Sequence, residues 1–169
     1  MKKILFVFAL VAIIATGTAF ADHPGGFGIG FESGLHVDLD PSKTKISGGS
    51  LTLKFQELPI FWTINVASFD PFYTGFSGDY YFIHNPISGD FHWYLGFGLG
   101  LSLWTYEEKV DETKLGIAVT GRVPVGVSWQ PLDFLELYAQ AVPRIGINFS
   151  EGKLYDKFLV TNLGIRFWP

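Results

Sequence analysis

The chain has 169 residues, a net charge of -4, no cysteine, and an uncommon pairing of 17% aromatic residues with 20 glycines. Without cysteine there are no disulfides, no thiol catalysis and no zinc–thiolate site, and mild acidity without a long basic run argues against a nucleic-acid partner. Plain globular domains seldom combine so much aromatic side chain with so much glycine, whereas membrane barrels place aromatics at the bilayer interfaces.

Lys2 and Lys3 precede an unbroken apolar run from Ile4 to Ile14, followed by small residues ending in Ala19-Phe20-Ala21. This predicts a signal peptide over residues 1–21, cleaved after Ala21, and hence export. The run is shorter than the roughly 20 residues a spanning helix needs. Residues 22–169 are then one domain. No second such apolar run follows, so membrane insertion must use strands, because only helices and closed barrels satisfy their backbone groups in lipid.

From Phe27 the side chains alternate with period two, the signature of a strand. Phe27, Ile29, Phe31, Leu35, Val37 and Leu39 oppose Gly28, Gly30, Glu32, Gly34, His36 and Asp38. Leu51, Leu53 and Phe55 against Ser50, Thr52 and Lys54 make a second strand, and Trp62, Ile64 and Val66 against Thr63 and Asn65 a third, with a turn expected at Leu58-Pro59. The fourth sets Phe72, Phe76, Tyr80 and Phe82 against Tyr73, Gly75, Ser77, Asp79 and Tyr81, and is expected to end at Asn85-Pro86 and Ser88-Gly89-Asp90. In the fifth, Phe91, Trp93, Leu95, Phe97, Leu99, Leu101 and Leu103 face away from His92, Tyr94, Gly96, Gly98, Gly100 and Ser102. A charged loop is expected over Glu107–Lys114. The sixth strand, Leu115 to Trp129, contains Pro124, which implies a bulge or break. The seventh alternates Leu135, Leu137, Ala139, Ala141 and Ile145 with Glu136, Tyr138, Gln140 and Arg144, and a polar loop follows over Asn148–Lys157. The eighth sets Leu159, Thr161, Leu163, Ile165 and Phe167 against Val160, Asn162, Gly164, Arg166 and Trp168. The expected fold is all-β, a closed antiparallel transmembrane barrel of about eight strands.

Alternation alone leaves open which face is wet. A soluble periplasmic barrel or sandwich binding a small apolar ligand would bury the apolar face, but the polar face here is rich in glycine and poor in charge, as suits a narrow interior. Aromatics of the apolar parity also collect at one rim: Phe27, Phe55, Trp62, Phe82, Phe91, Trp93, Trp129 and Phe167. In the seventh strand Phe134 falls on the wrong parity. This reads as an aromatic girdle on the periplasmic side, where both termini and the tight connections lie, with the outward loops near Asp40–Thr44, Glu107–Lys114 and Asn148–Lys157 at the cell surface.

In length and hairpin rhythm the mature chain resembles the small eight-stranded outer-membrane barrels of the OmpA and OmpX type. The stretch from Arg122 to Tyr138, RVPVGVSWQPLDFLELY, and the ending from Leu163, LGIRFW, resemble a family of small spirochaete outer-membrane barrels. The closing strand also resembles the signal read by the barrel-assembly machinery, with Pro169 after Phe167-Trp168 as a departure. These resemblances imply the fold, an outer-membrane location and that assembly partner; they imply no activity.

The inward parity carries four acids, Glu32, Asp38, Asp79 and Glu136, and four bases, Lys54, Arg122, Arg144 and Arg166. In so narrow a barrel they should pair as buried salt bridges and block a pore, in preference to the alternative of a narrow conducting or gated channel. Glu136, Arg166, Glu32 and Lys54, on consecutive strands, are expected to form one ladder of alternating charge. His36, Asp38 and Ser50 are the residue types of a hydrolase triad, which would make a lipid-modifying enzyme, but no nucleophile motif accompanies them. His84 and His92 flank one turn and lack a placed carboxylate for a metal. The chain is therefore expected to need no cofactor or metal. It should contact outer-membrane lipid and the assembly machinery, and meet a ligand or host protein through its loops.

Overall fold

The computed structural model describes residues 26–37, 45–55, 58–69, 72–109, 112–154 and 159–169. The expected signal peptide and its cleavage site, and Asp38, lie outside these residues. Alternating sequence becomes strand throughout: β1 (Phe27–Val37), β2 (Lys45–Phe55), β3 (Leu58–Phe69), β4 (Phe72–Ser88), β5 (Phe91–Lys109), β6 (Glu112–Arg122), β7 (Val125–Leu132), β8 (Leu135–Asn148), β9 (Lys153–Leu154) and β10 (Leu159–Phe167). All pairings are antiparallel between neighbours, and β10 joins both β1 and β8, which closes the sheet into a barrel. Closure pairs every stave of the ring with a neighbour on each side, which removes the long open edges of a flat sheet.

The ring has eight staves because β6 and β7 are successive pieces of one, each paired with β5 and β8. Pro124 divides them. Lacking an N–H it cannot continue the ladder, and hydrogen bonds bridge the gap instead, from Gly96 N to Pro124 O at 2.9 Å and from Val123 N to Pro143 O at 3.0 Å.

Several sequence-based boundaries shift. Leu58 and Pro59 belong to β3 rather than to a turn. Asn85 and Pro86 do not end β4; they pair with Trp93 and His92 of β5. Among the described residues β4 pairs with β3 only as far as Tyr80, and a proline is tolerated along an unpaired edge. The chain turns at Gly89, whose φ of 53° suits glycine. Most of the expected loop Glu107–Lys114 is strand, with Tyr106 opposite Lys114 and Glu107 opposite Thr113. The polar stretch after Asn148 holds a turn and the two residues of β9.

Both barrel termini, Phe27 and Phe167, lie at one end together with the β4–β5 and β7–β8 turns, called here the turn end; the C-terminal ends of β1, β3, β5 and β8 lie at the other, the loop end. Exposure follows the parity of the sequence. Phe31, Leu99, Ile145 and Leu163 on the outside are 61%, 68%, 73% and 70% exposed, whereas Asp79, Arg166, Glu136 and Lys54 inside are 0%, 1%, 3% and 5% exposed. This inverts the distribution of a water-soluble protein. Among the described residues no helix is long and apolar enough to cross a membrane.

Candidate functional site: the filled interior

Inward glycines make room for large side chains on the neighbouring stave. Gly164 stands opposite Tyr138, Gly126 opposite Tyr94 and Gly96 opposite Tyr81, and a Cβ at any of the three would collide with that ring. The tyrosines lie across the barrel with Phe61. Phe61 and Tyr81 stack at 5.7 Å, Tyr81 and Tyr94 stack at 4.7 Å, and Tyr138 meets Phe61 edge-on at 5.7 Å. All four are buried. Parity carries the signal for the layer, since Phe61 precedes the inward Thr63 by two residues, but the aromatic plug itself is legible only once the staves are in register.

On the turn side of this layer, Arg166 Nη1 donates to Glu136 Oε2 at 2.6 Å and Trp168 Nε1 donates to the same oxygen at 3.0 Å. Arg166 and Glu136 are register partners on β10 and β8. The guanidinium lies 4.6 Å from the Phe61 ring centroid and 4.8 Å from that of Tyr138, and Lys54 Nζ lies 5.6 Å from that of Tyr81. Cations here are held by aromatic faces as well as by charge.

Glu32 is placed differently from the expected ladder. It sits opposite Gly164, while Arg166 sits opposite Gly30. Tyr138 occupies the space beside Gly164, and its hydroxyl donates to Glu32 Oε2 at 3.1 Å. Gln140 Nε2 donates to the same oxygen at 3.1 Å, and Asn162 Nδ2 to Oε1 at 3.1 Å. Glu32 is thus met by three neutral donors, and an aromatic ring stands where charge-to-charge contact with Arg166 was expected. These donors were in the inward set, but the sequence carried no sign that they converge on one carboxylate.

On the loop side, Arg122 clamps Asp79 bidentately, Nε to Oδ1 at 2.9 Å and Nη2 to Oδ2 at 2.8 Å. Arg144, directly opposite Arg122, approaches His36 Nδ1 with Nη2 at 2.8 Å. Ser50 is not bonded to His36 among the contacts described; its hydroxyl accepts from Asn65 Nδ2 at 2.9 Å. Arginine can only donate, so His36 Nδ1 serves as acceptor and the neutral ring carries its proton on Nε2. That tautomer cannot take a proton from a serine through Nε2, as a triad histidine must. His84 and His92 stack at 4.9 Å with planes 9° apart. A metal lies in the plane of its imidazole ligands, so two parallel stacked rings are not arranged to share one. Among the described residues no group of three or more metal-ligating side chains is assembled.

The girdle residues all lie outside. Phe27 and Phe55 are register partners with rings 6.4 Å apart, Phe91 stacks on Trp129 at 5.4 Å, Phe82 lies 6.0 Å from Phe97, and Trp62 stacks on Phe76 at 5.4 Å. Trp93 is half-buried and Phe167 exposed. Phe134, of the wrong parity for a strand, lies in the β7–β8 turn and is exposed at the same rim.

No protein-family model and no curated protein matches this chain. Among solved structures it is similar to the N-terminal β-barrel domain of OprF from Pseudomonas aeruginosa, with a TM-score of 0.51 and 12% identity over 85% of this chain and 97% of that domain. A likeness at that identity carries the fold: the chain is an all-β, closed antiparallel barrel built like that domain, the architecture its resemblance to the OmpA and OmpX type implied.

Proposed function

We propose that the mature chain is an integral outer-membrane barrel with a closed, non-conducting interior and no catalytic activity, serving as a structural and surface-interaction protein. The observation that carries this reading is the inversion of polarity around a closed ring, with exposed leucine, isoleucine and phenylalanine outside and buried arginine, glutamate and aspartate inside. Water would not tolerate that exterior over a whole sheet, and lipid requires it. A soluble barrel carrying an apolar ligand is disfavoured because the interior is occupied by an aromatic layer and ion pairs. The same layer, with Glu136 and Arg166 beneath it, supports a sealed pore, and the His36 tautomer supports the absence of hydrolysis. The OprF domain's fold agrees with this placement. On the stretches 122–138 and 163–168 we place the chain beside the small spirochaete outer-membrane barrels.

The test is insertion. The refolded protein should migrate differently on gels with and without heating in detergent, and Leu99→Arg should destabilise the bilayer-inserted barrel by about 2 to 4 kcal/mol. Wild-type refolding efficiency for Leu99→Arg would contradict the lipid-facing assignment. Planar bilayers should show no steady current, and lipid A incubated with the protein should keep its mass.

A further inference from the structure

Above the aromatic layer the barrel is hollow. A cavity of about 50 Å³, room for about three to four waters, opens between the staves on the loop side. Its wall includes Thr63 and Ser77, register partners on β3 and β4. Both are buried, at 5% and 3% exposure, and neither Thr63 Oγ1 nor Ser77 Oγ has a hydrogen-bond partner among the described residues. Two neighbouring hydroxyls left in this state across one ladder call for an explanation.

The charges around the cavity narrow what could fill it. Arg122 and Arg144 both line it and stand opposite one another on β6 and β8. Asp79 takes Nε and Nη2 of Arg122, which leaves Nη1, a two-hydrogen donor, without a bond among the described residues. The wall also holds Glu32, whose two oxygens already accept three bonds; Asp79 does not line the cavity, and both its oxygens are clamped by Arg122. The fixed carboxylates are spent on fixed donors, while donor capacity remains on the guanidinium and the two hydroxyls.

We propose that this cavity binds a small oxyanion of the carboxylate or phosphate class, held between the paired guanidiniums of Arg122 and Arg144 and the hydroxyls of Thr63 and Ser77. Planar guanidinium forks match such oxygens, and the volume admits the charged group but not a whole sugar or peptide. The site needs the barrel fold alone and stands apart from the membrane reading, since the barrel can be folded in neutral detergent.

Calorimetric titration of that refolded protein with inorganic phosphate, and separately with acetate, at low ionic strength tests it. Saturable binding of either is expected, and the tighter one names the anion. Thr63→Val and Ser77→Ala should each weaken binding about three- to tenfold, the worth of a neutral hydrogen bond, and Arg144→Gln by more than tenfold, the worth of a charged one. Ser128→Ala, which removes a buried hydroxyl outside the cavity, should leave it unchanged. If Arg144→Gln fails to fold, as heat-dependent migration will report, the two hydroxyl variants decide. Absence of saturable binding to folded wild-type protein would overturn the site, leaving it to water. Binding that survives the Thr63 and Ser77 variants undiminished would also overturn it.

Discussion

The two halves of the barrel interior hold charge in opposite ways. At the turn end, Glu136 and Arg166 are packed beneath Phe61, Tyr138 and Trp168, almost without exposure. At the loop end, Asp79 and Arg122 make a better-formed bidentate bridge, yet Arg122 retains 10% exposure beside a hydroxyl-lined cavity. The comparison teaches that geometry alone does not set the worth of an ion pair. A pair sealed by aromatics loses most when one partner is removed, whereas an arginine that lines a cavity has room to take a second partner.

The largest effect should come from breaking the sealed pair. Arg166→Met should destabilise the barrel by about 3 to 5 kcal/mol, since Glu136 then loses its guanidinium in a dry site, and Glu136→Gln should recover part of that loss. The measurement is urea unfolding in lipid vesicles, read as a double-mutant cycle; strictly additive effects would show that the pair is not coupled. Glu32 and Lys54, which the expected ladder would link, should by contrast add within about 0.5 kcal/mol, because neutral donors hold Glu32.

Phe61→Ala removes the shared neighbour of Tyr81, Tyr138 and Arg166 and should cost about 3 to 5 kcal/mol on the same unfolding assay, by loss of packing and a cavity left behind. A change below 1 kcal/mol would mean that the aromatic layer does not seal the lower half. Asp79→Asn, in the loop half, should cost about 1.5 to 3 kcal/mol, the worth of hydrogen bonds to a charged group. Should it match Arg166→Met, the contrast between the halves fails. Smallest of all is Thr63→Val, two residues from Phe61 on the same stave. Replacing a hydroxyl that has no partner among the described residues by a methyl should shift stability by less than about 1 kcal/mol, which circular dichroism during unfolding will resolve.

Much of this was legible in the sequence because a strand has a period of two. Once Leu95, Phe97 and Leu99 are known to share a face, Gly96, Gly98 and Gly100 must share the other, and the same rule puts Glu32, Lys54, Asp79, Arg122, Glu136, Arg144 and Arg166 on the inward parity. Proline was less readable. Pro124 does break its strand, but Pro59 and Pro86 lie within β3 and β4, because whether a missing N–H matters depends on whether that edge has a partner, and the partner is far away in the chain.

The linear chain by itself determined the eight-stave rhythm, the two faces and the identity of the inward charges, since these follow from local alternation and from turn residues. Register decided the rest. A shift of two residues between β1 and β10 separates a Glu32 that meets Arg166 from one that meets Tyr138, and local sequence does not encode that shift, which arises from the stagger needed to close the ring. The placing of Tyr138 over Gly164, the sealing of Glu136 with Arg166, and the alignment of Thr63 and Ser77 beside Arg122 are contacts between staves distant in sequence, and only the closed barrel brings them together.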